Sequence, residues 1–118
     1  MATQIQLKRA YDAAAPTDGY RIYIDRLWPQ GLSHATFHYD WWDKAISPSD
    51  ELREWFHADP EGRWTDFVKR YEAELQANPL FAQLKQVVAA HKTVTLLYSS
   101  RDREHNNAVV VRAALQAQ

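Results

Sequence analysis

The stretch TVTLLYS, residues 93–99, constrains the fold of this chain more than any other part of its sequence. It is a continuous run of apolar, β-branched and aromatic residues, which is typical of a β-strand covered on both faces. We therefore predict that it forms the central strand of a sheet, with further layers of the protein on both sides.

Two more strands are predicted in the N-terminal part of the chain. IQLKRAY, residues 5–11, alternates apolar and polar residues, and YRIYIDRLW, residues 20–28, does the same with β-branched and aromatic side chains. The eight-residue connection between them is too short for a parallel crossover. We therefore expect the two strands to be antiparallel neighbours, or to be separated in the sheet by another strand.

Helical spacing of apolar residues appears in four segments. The first helix follows Ser49, a good capping residue, and the second begins near Pro60. The third covers residues 80–88, and the last follows the turn after the central strand. Residues 32–48 show no clear period, so an irregular or short helical segment is expected there.

Strands that alternate with helices favour an α/β fold. We predict a single three-layer domain over residues 1–118, with a small, mainly parallel sheet flanked by helices. A chain of 118 residues has the usual length of one domain, and its 46% apolar content supplies the core.

The composition excludes several classes of function. The chain has no cysteine, so disulfides, thiolate metal sites and a cysteine nucleophile are excluded. Its three glycines cannot form the GxGxxG or P-loop pattern, and no cofactor is predicted. A net charge of −1 argues against general nucleic-acid binding. Without a long apolar run, the sequence predicts a soluble, cytoplasmic protein that does not bind membranes.

The candidate functional site is the polar turn between the central strand and the last helix, residues 99–107. In open α/β sheets ligands bind beyond the carboxyl ends of the strands, close to helix N-termini. The side chains that could bind a ligand there are Ser99, Ser100, Arg101, Asp102, Asn106 and Asn107. The alternative is an ordinary polar connection, in which Asp102 or Glu104 caps the helix and the arginines are solvated.

A second motif, IDRLWPQG, follows the strand predicted over residues 20–28. If this strand and the central strand are parallel neighbours, Asp25 and Arg26 meet the turn at one edge of the sheet. The combination predicts a cleft for an anionic small molecule, phosphate or nucleotide-like, with His105 or Asp25 as the acid or base if there is chemistry. The alternative is that Asp25 and Arg26 form a structural ion pair.

Two other features were weighed against this site. His34 and His38 have the i, i+4 spacing of a helical metal pair, but no third ligand accompanies them, so no metal site is predicted. The aromatic segment FHYDWWDKAI, residues 37–46, offers an alternative function, that of a non-catalytic module binding a protein or a nucleic acid. A protein partner or a homodimer is left open.

The motifs RIYIDRLWPQGL, ELREWF, RYEAEL and LLYSSRDREHNNAVVV resemble, in wording and order, the bacterial family called domain of unknown function 488, in its YeaO-like branch. The resemblance extends from about Lys8 to Leu115. It implies a small α/β protein with a short parallel-type sheet, and it brings no established reaction.

The resemblance also implies which residues carry over. Asp25 and Arg26 match the first family motif, Asp102 and His105 match the second, and Arg101 matches a basic position. Other branches carry a Cys-His-Arg run at the last turn, where this chain has Asn106, Asn107 and Ala108. Thiol chemistry therefore does not transfer to this chain, and binding or acid–base work on a bound anion is favoured over covalent catalysis.

Overall fold

The computed structural model describes residues 3–117 and contains a four-stranded sheet with four α-helices. The strands are β1 (Gln4–Arg9), β2 (Tyr20–Tyr23), β3 (Trp41–Trp42) and β4 (Thr93–Tyr98). The helices are α1 (Asp50–His57), α2 (Pro60–Ala77), α3 (Leu80–Ala89) and α4 (Asn107–Gln116). The predicted α/β fold with a small parallel sheet is confirmed.

The strand order is β1-β4-β2-β3, and each neighbouring pair is parallel. β4 lies between β1 and β2, so the apolar run does form an inner strand with a neighbour on each side. Of the two arrangements expected for β1 and β2, separation by another strand is correct, and antiparallel pairing is wrong. Thr95 of β4 donates a hydrogen bond to the carbonyl of Asp18, which holds the connection from β1 to β2 against the sheet.

Two boundaries differ from those expected. β2 ends at Tyr23, although the alternation continues further, because only Tyr20–Tyr23 pair with β4. β3 is a short strand inside the segment expected to be irregular, where Trp41 and Trp42 pair with Ile22 and Tyr23. A strand of two residues is too short for alternation to reveal it in the sequence.

The main core joins all four helices to one face of the sheet. Every second residue of the inner strands faces this core. These residues are Ile22 on β2, Ile24 just after β2, and Val94 and Leu96 on β4. The helices contribute buried side chains that follow the predicted apolar stripes: Leu52, Phe56, Phe67, Tyr71, Leu75, Phe81, Leu84, Val88, Ala108, Val110, Val111 and Ala114. The spacing of apolar residues thus identified the face that each helix buries.

The opposite face of the sheet is covered by irregular chain. Tyr23 and Leu97, which point away from the helical core, pack in a second buried cluster with Phe37. Partly buried Trp28 and Trp42 surround this cluster, and their ring centroids lie 5.6 Å apart. The three layers are therefore helices, sheet and an aromatic-rich irregular layer.

Side-chain caps fix where three of the helices begin. The Ser49 hydroxyl accepts a hydrogen bond from the amide of Leu52, and the Asp59 carboxylate accepts one from that of Gly62. Asn106 caps α4 by accepting from the amide of Val109. The expectation that Asp102 or Glu104 would cap α4 is wrong, because the helix begins later in the turn.

Within residues 3–117, none of the helices combines the length and the apolar content that crossing a bilayer demands.

Candidate functional site

A cleft of about 820 Å³ opens beyond the carboxyl ends of β2 and β4. Its lining includes every residue proposed above for the site except Asp102, namely Asp25, Arg26, Ser99, Ser100, Arg101, His105, Asn106 and Asn107. β2 and β4 are parallel neighbours, so the two motifs meet at one edge of the sheet. The remaining walls come from Arg9 and the segment after β1, the loop after β2, Ser47 and Pro48, the helix α1 and Phe67 of α2.

Asp25 joins the two motifs through three hydrogen bonds. Its carboxylate accepts from the backbone amide of Ser99 at 2.8 Å and from the amide side chain of Asn107 at 2.6 Å. The Ser99 hydroxyl donates to the same carboxylate. With both oxygens occupied by donors, Asp25 positions the end of β4 and the first residue of α4.

Tyr23 lies beside this network on β2. Its hydroxyl donates to the carbonyl of Leu27 at 2.7 Å and so shapes the loop after β2. Burial, together with the negative charge of Asp25, raises the pKa of Tyr23, so its hydroxyl stays protonated and remains a donor.

Four arginines line the cleft, and only part of their charge is balanced there. Arg26 forms an ion pair with Asp50, and Arg53 donates to the same carboxylate at 3.2 Å. Arg9 donates its guanidinium N–H groups to the backbone carbonyls of the turn after β4. Arg26 therefore does not form the structural pair with Asp25 that was the alternative interpretation.

Arg101 is the fourth arginine, and its guanidinium is exposed. Within residues 3–117 it makes no hydrogen bond, ion pair or ring contact. The side-chain Nε of Arg53 is buried and likewise has no acceptor in the described part of the chain. The cleft thus holds guanidinium donors that the protein itself does not use.

His105 lines the cleft with its ring stacked on that of Trp64, the two centroids 4.6 Å apart. Its Nδ1 is 3.9 Å from the carboxylate of Asp102, which is too long for a hydrogen bond. The stacking holds the imidazole at the wall of the cleft, where it could exchange a proton with a bound ligand.

Asp102 lies outside the lining of the cleft and serves the turn. Its carboxylate accepts from the backbone amides of His105 and Glu104, both at 2.9 Å. These two hydrogen bonds lower the pKa of Asp102. Asn106 donates to the Asp102 carbonyl while it caps α4, so both residues hold the turn in shape.

The histidine pair, His34 and His38, and the aromatic segment, residues 37–46, lie outside the lining of the cleft. His34 stacks on Trp28 with 4.0 Å between centroids, and within residues 3–117 there is no cluster of three His, Cys, Asp or Glu side chains able to hold a metal. In the aromatic segment Phe37 is buried, whereas Trp41 and Trp42 are half-buried. Most of this aromatic surface packs inside the protein, and an interaction surface on residues 37–46 stays a prediction.

Several lining residues were missed from the sequence, among them Arg9, Tyr11, Leu27 and Arg53. Arg9 and Tyr11 end the strand predicted over residues 5–11, so a known strand order would have placed them at the same edge. Arg53 had no comparable signal, because its position depends on how α1 packs beside the sheet.

Comparison with known proteins identifies the family of the chain. A family model described as "Inactive DUF488-N3 subclade" matches residues 4–118. The chain belongs to the domain of unknown function 488 family. The resemblance seen in the sequence motifs is therefore confirmed, and the matched region includes every residue of the cleft.

Curated relatives in this family match over most of their length. Uncharacterized protein YeaO of Escherichia coli (strain K12) is 41% identical over 107 residues, covering 91% of this chain and 92% of the relative. An uncharacterized protein of Mycobacterium tuberculosis (strain ATCC 25618 / H37Rv) is 34% identical over 113 residues, covering 96% and 94%. No solved structure matches the chain.

Proposed function

We propose that the protein binds an anionic small molecule of the phosphate type in the cleft beyond β2 and β4. The observation that carries the proposal is Arg101, which lines the cleft with a guanidinium that makes no hydrogen bond, ion pair or ring contact within residues 3–117. A guanidinium matches a phosphate or carboxylate with two parallel hydrogen bonds. Arg101 is therefore the first anion contact of the proposed site.

The surroundings of Arg101 favour the same class of ligand. Arg9, Arg26 and Arg53 line the same cleft, whereas Asp25 is the one carboxylate among the described residues of its lining. Asp25 already accepts three hydrogen bonds from the protein, which occupy most of the acceptor sites of its carboxylate. The excess of guanidinium over carboxylate attracts a negative charge.

In this proposal the protein binds its ligand and does not convert it chemically. Asp25 has a positioning role because of the donors around it, so it is not an acid–base candidate. His105 is then the one acid–base candidate left among the proposed residues. The chain also has no thiol that could act as a nucleophile. The word "inactive" in the family description supports the absence of turnover in this proposal.

The test measures thermal unfolding of the wild type and of Arg101→Ala in increasing phosphate at constant ionic strength. We expect the wild-type melting temperature to rise with phosphate concentration. Arg101→Ala should need about tenfold more phosphate for the same rise, because it lacks charge-assisted hydrogen bonds. Phosphate also stabilises proteins by exclusion from their surface, so the difference between the two proteins is the informative quantity.

Arg112→Ala is the matched control. Arg112 lies on α4 and does not line the cleft, so its loss removes the same charge elsewhere. Arg101→Lys separates charge from geometry, since lysine keeps the charge but loses the planar pair of donors. The proposal fails if the wild type and Arg101→Ala show the same dependence on phosphate.

A further inference from the structure

The cleft combines its arginines with exposed apolar side chains. Three large apolar side chains are exposed within residues 3–117, and two of them, Leu27 at 64% and Tyr11 at 38%, line the cleft. The third, Leu80 at 46%, lies on α3 away from the cleft. Exposed apolar surface bordered by polar groups is a mark of a binding site.

These apolar side chains form a wall that the fold holds in place. The Tyr11 hydroxyl donates to the carbonyl of Gln30 at 2.7 Å, which links the segment after β1 to the loop after β2. Trp28, next to Leu27, also lines the cleft and packs on the aromatic cluster beneath the loop. The wall is therefore anchored at both ends.

The apolar wall adjoins the cationic part of the cleft. The Arg9 guanidinium lies 4.7 Å from the centroid of the Tyr11 ring. Its Nε donates to the carbonyl of Ser100 at 2.8 Å, immediately before Arg101. One ligand can thus contact Arg101 and the apolar wall at the same time.

The size of the cleft favours an anion with an apolar body over a small inorganic anion. Its volume of about 820 Å³ falls within the range of sites for organic ligands. A tetrahedral oxyanion alone would fill a small part of this space and leave Leu27 and Tyr11 in water. An anion attached to an apolar body would cover both side chains, with the favourable free energy of burying apolar surface.

We infer that the ligand is an organic phosphate that also carries a flat, unsaturated ring, as a nucleoside monophosphate does. The inference rests on the proposed anion site and adds to it the part of the ligand that Leu27, Tyr11 and Trp28 contact. A flat ring suits this wall because aromatic side chains stack on planar groups and Leu27 offers an apolar surface beside them.

The test compares three probes by calorimetric titration of the intact chain: adenosine monophosphate, adenosine and inorganic phosphate. Adenosine monophosphate should bind at least about tenfold more tightly than phosphate, and adenosine should bind weakly. Leu27→Ser should weaken adenosine monophosphate binding about tenfold and leave phosphate binding unchanged. Leu80→Ser is the matched control, since it removes an equally large exposed side chain outside the cleft, and it should change neither.

The outcomes distinguish this inference from the proposed function. If adenosine monophosphate binds no more tightly than inorganic phosphate, the ring is not recognised and the inference is overturned, while anion binding stands. If adenosine monophosphate and inorganic phosphate both bind and Leu27→Ser weakens them equally, the apolar wall has no selective role, and the inference is also wrong. If none of them binds, the proposed function fails as well.

Discussion

Two glycines show how a single residue can limit the fold. Gly19 has φ 65° at the start of β2, and a Cβ there would overlap the backbone carbonyl oxygen of Thr93. Gly31 also has a positive φ, 87°, but a Cβ would meet nothing within 4 Å. The two positions therefore share a left-handed backbone and differ in the space around them.

We expect Gly31→Ala to lower the free energy of unfolding by about 1 kcal/mol, the cost of a non-glycine residue at positive φ. Gly19→Ala should cost roughly 3 kcal/mol or more, because β2 and β4 must also move apart. Urea unfolding followed by circular dichroism measures both values, and a Gly19→Ala protein without a cooperative transition agrees with the larger cost. Equal costs would show that the approach of residue 19 to Thr93 is not tight.

At the level of elements, Asp25 connects the end of β2 to the end of β4 and the start of α4. We expect Asp25→Ala to lower the free energy of unfolding by roughly 2–4 kcal/mol, since it leaves the partly buried Ser99 amide without an acceptor. Asn107→Ala removes one of the three donors and should cost about 1 kcal/mol. The same urea measurements test the order of the two variants, and a smaller cost for Asp25→Ala would contradict the connecting role given to Asp25.

The elements also show how far sequence patterns reach. The inner strand β4 and the starts of α1 and α2 followed from apolar periodicity and from Ser49 and Pro60, because these signals are local. The cap of α4 was not predictable, since Asp102 and Asn106 are both good capping residues and only the geometry of the turn selects one. β3 was missed because two residues carry no period.

In the candidate site, too, some features were predictable from the sequence and others were not. The meeting of Asp25 with the turn after β4 was predictable, because parallel strands place their carboxyl ends at one edge. The pairing of Arg26 with Asp50 was not, because it depends on where α1 packs. The apolar wall at Leu27 had no signal either, since exposure is decided by tertiary packing and not by residue type.

Over the whole molecule, positive and negative charges nearly cancel, but two places carry a local excess of one sign. The chain carries a net charge of −1, yet the cleft gathers four arginines. The second place is Asp43, which is 5% exposed and has one carboxylate oxygen without a partner within residues 3–117. Burial raises the pKa of Asp43 to about 6, against a value of 3.8 for an unperturbed group.

The buried Asp43 and the paired carboxylates act in opposite directions on stability. Between about pH 3.8 and 6 the folded chain keeps the Asp43 proton that the unfolded chain releases, so stability falls as pH rises through this window. Hydrogen bonds from Arg103 and Arg26 lower the pKa values of Asp12 and Asp50, and their contribution is lost as pH falls below 3.8. By themselves, these three groups favour the folded state most near pH 4, at the acidic edge of the Asp43 window.

We therefore expect the wild-type melting temperature to be higher at pH 4.5 than at pH 7.5, and Asp43→Asn to remove most of this difference. The substitution keeps the shape of the side chain and eliminates the buried charge, whose cost corresponds to roughly 3 kcal/mol above pH 6. Asp66→Asn, on the exposed face of α2, is the matched control and should leave the pH profile unchanged. Thermal unfolding of the three proteins from pH 4 to pH 8 makes the comparison. If Asp43→Asn keeps the wild-type profile, the decline towards neutral pH originates at another group, and the unpartnered oxygen of Asp43 is accommodated in the folded protein without a cost in stability.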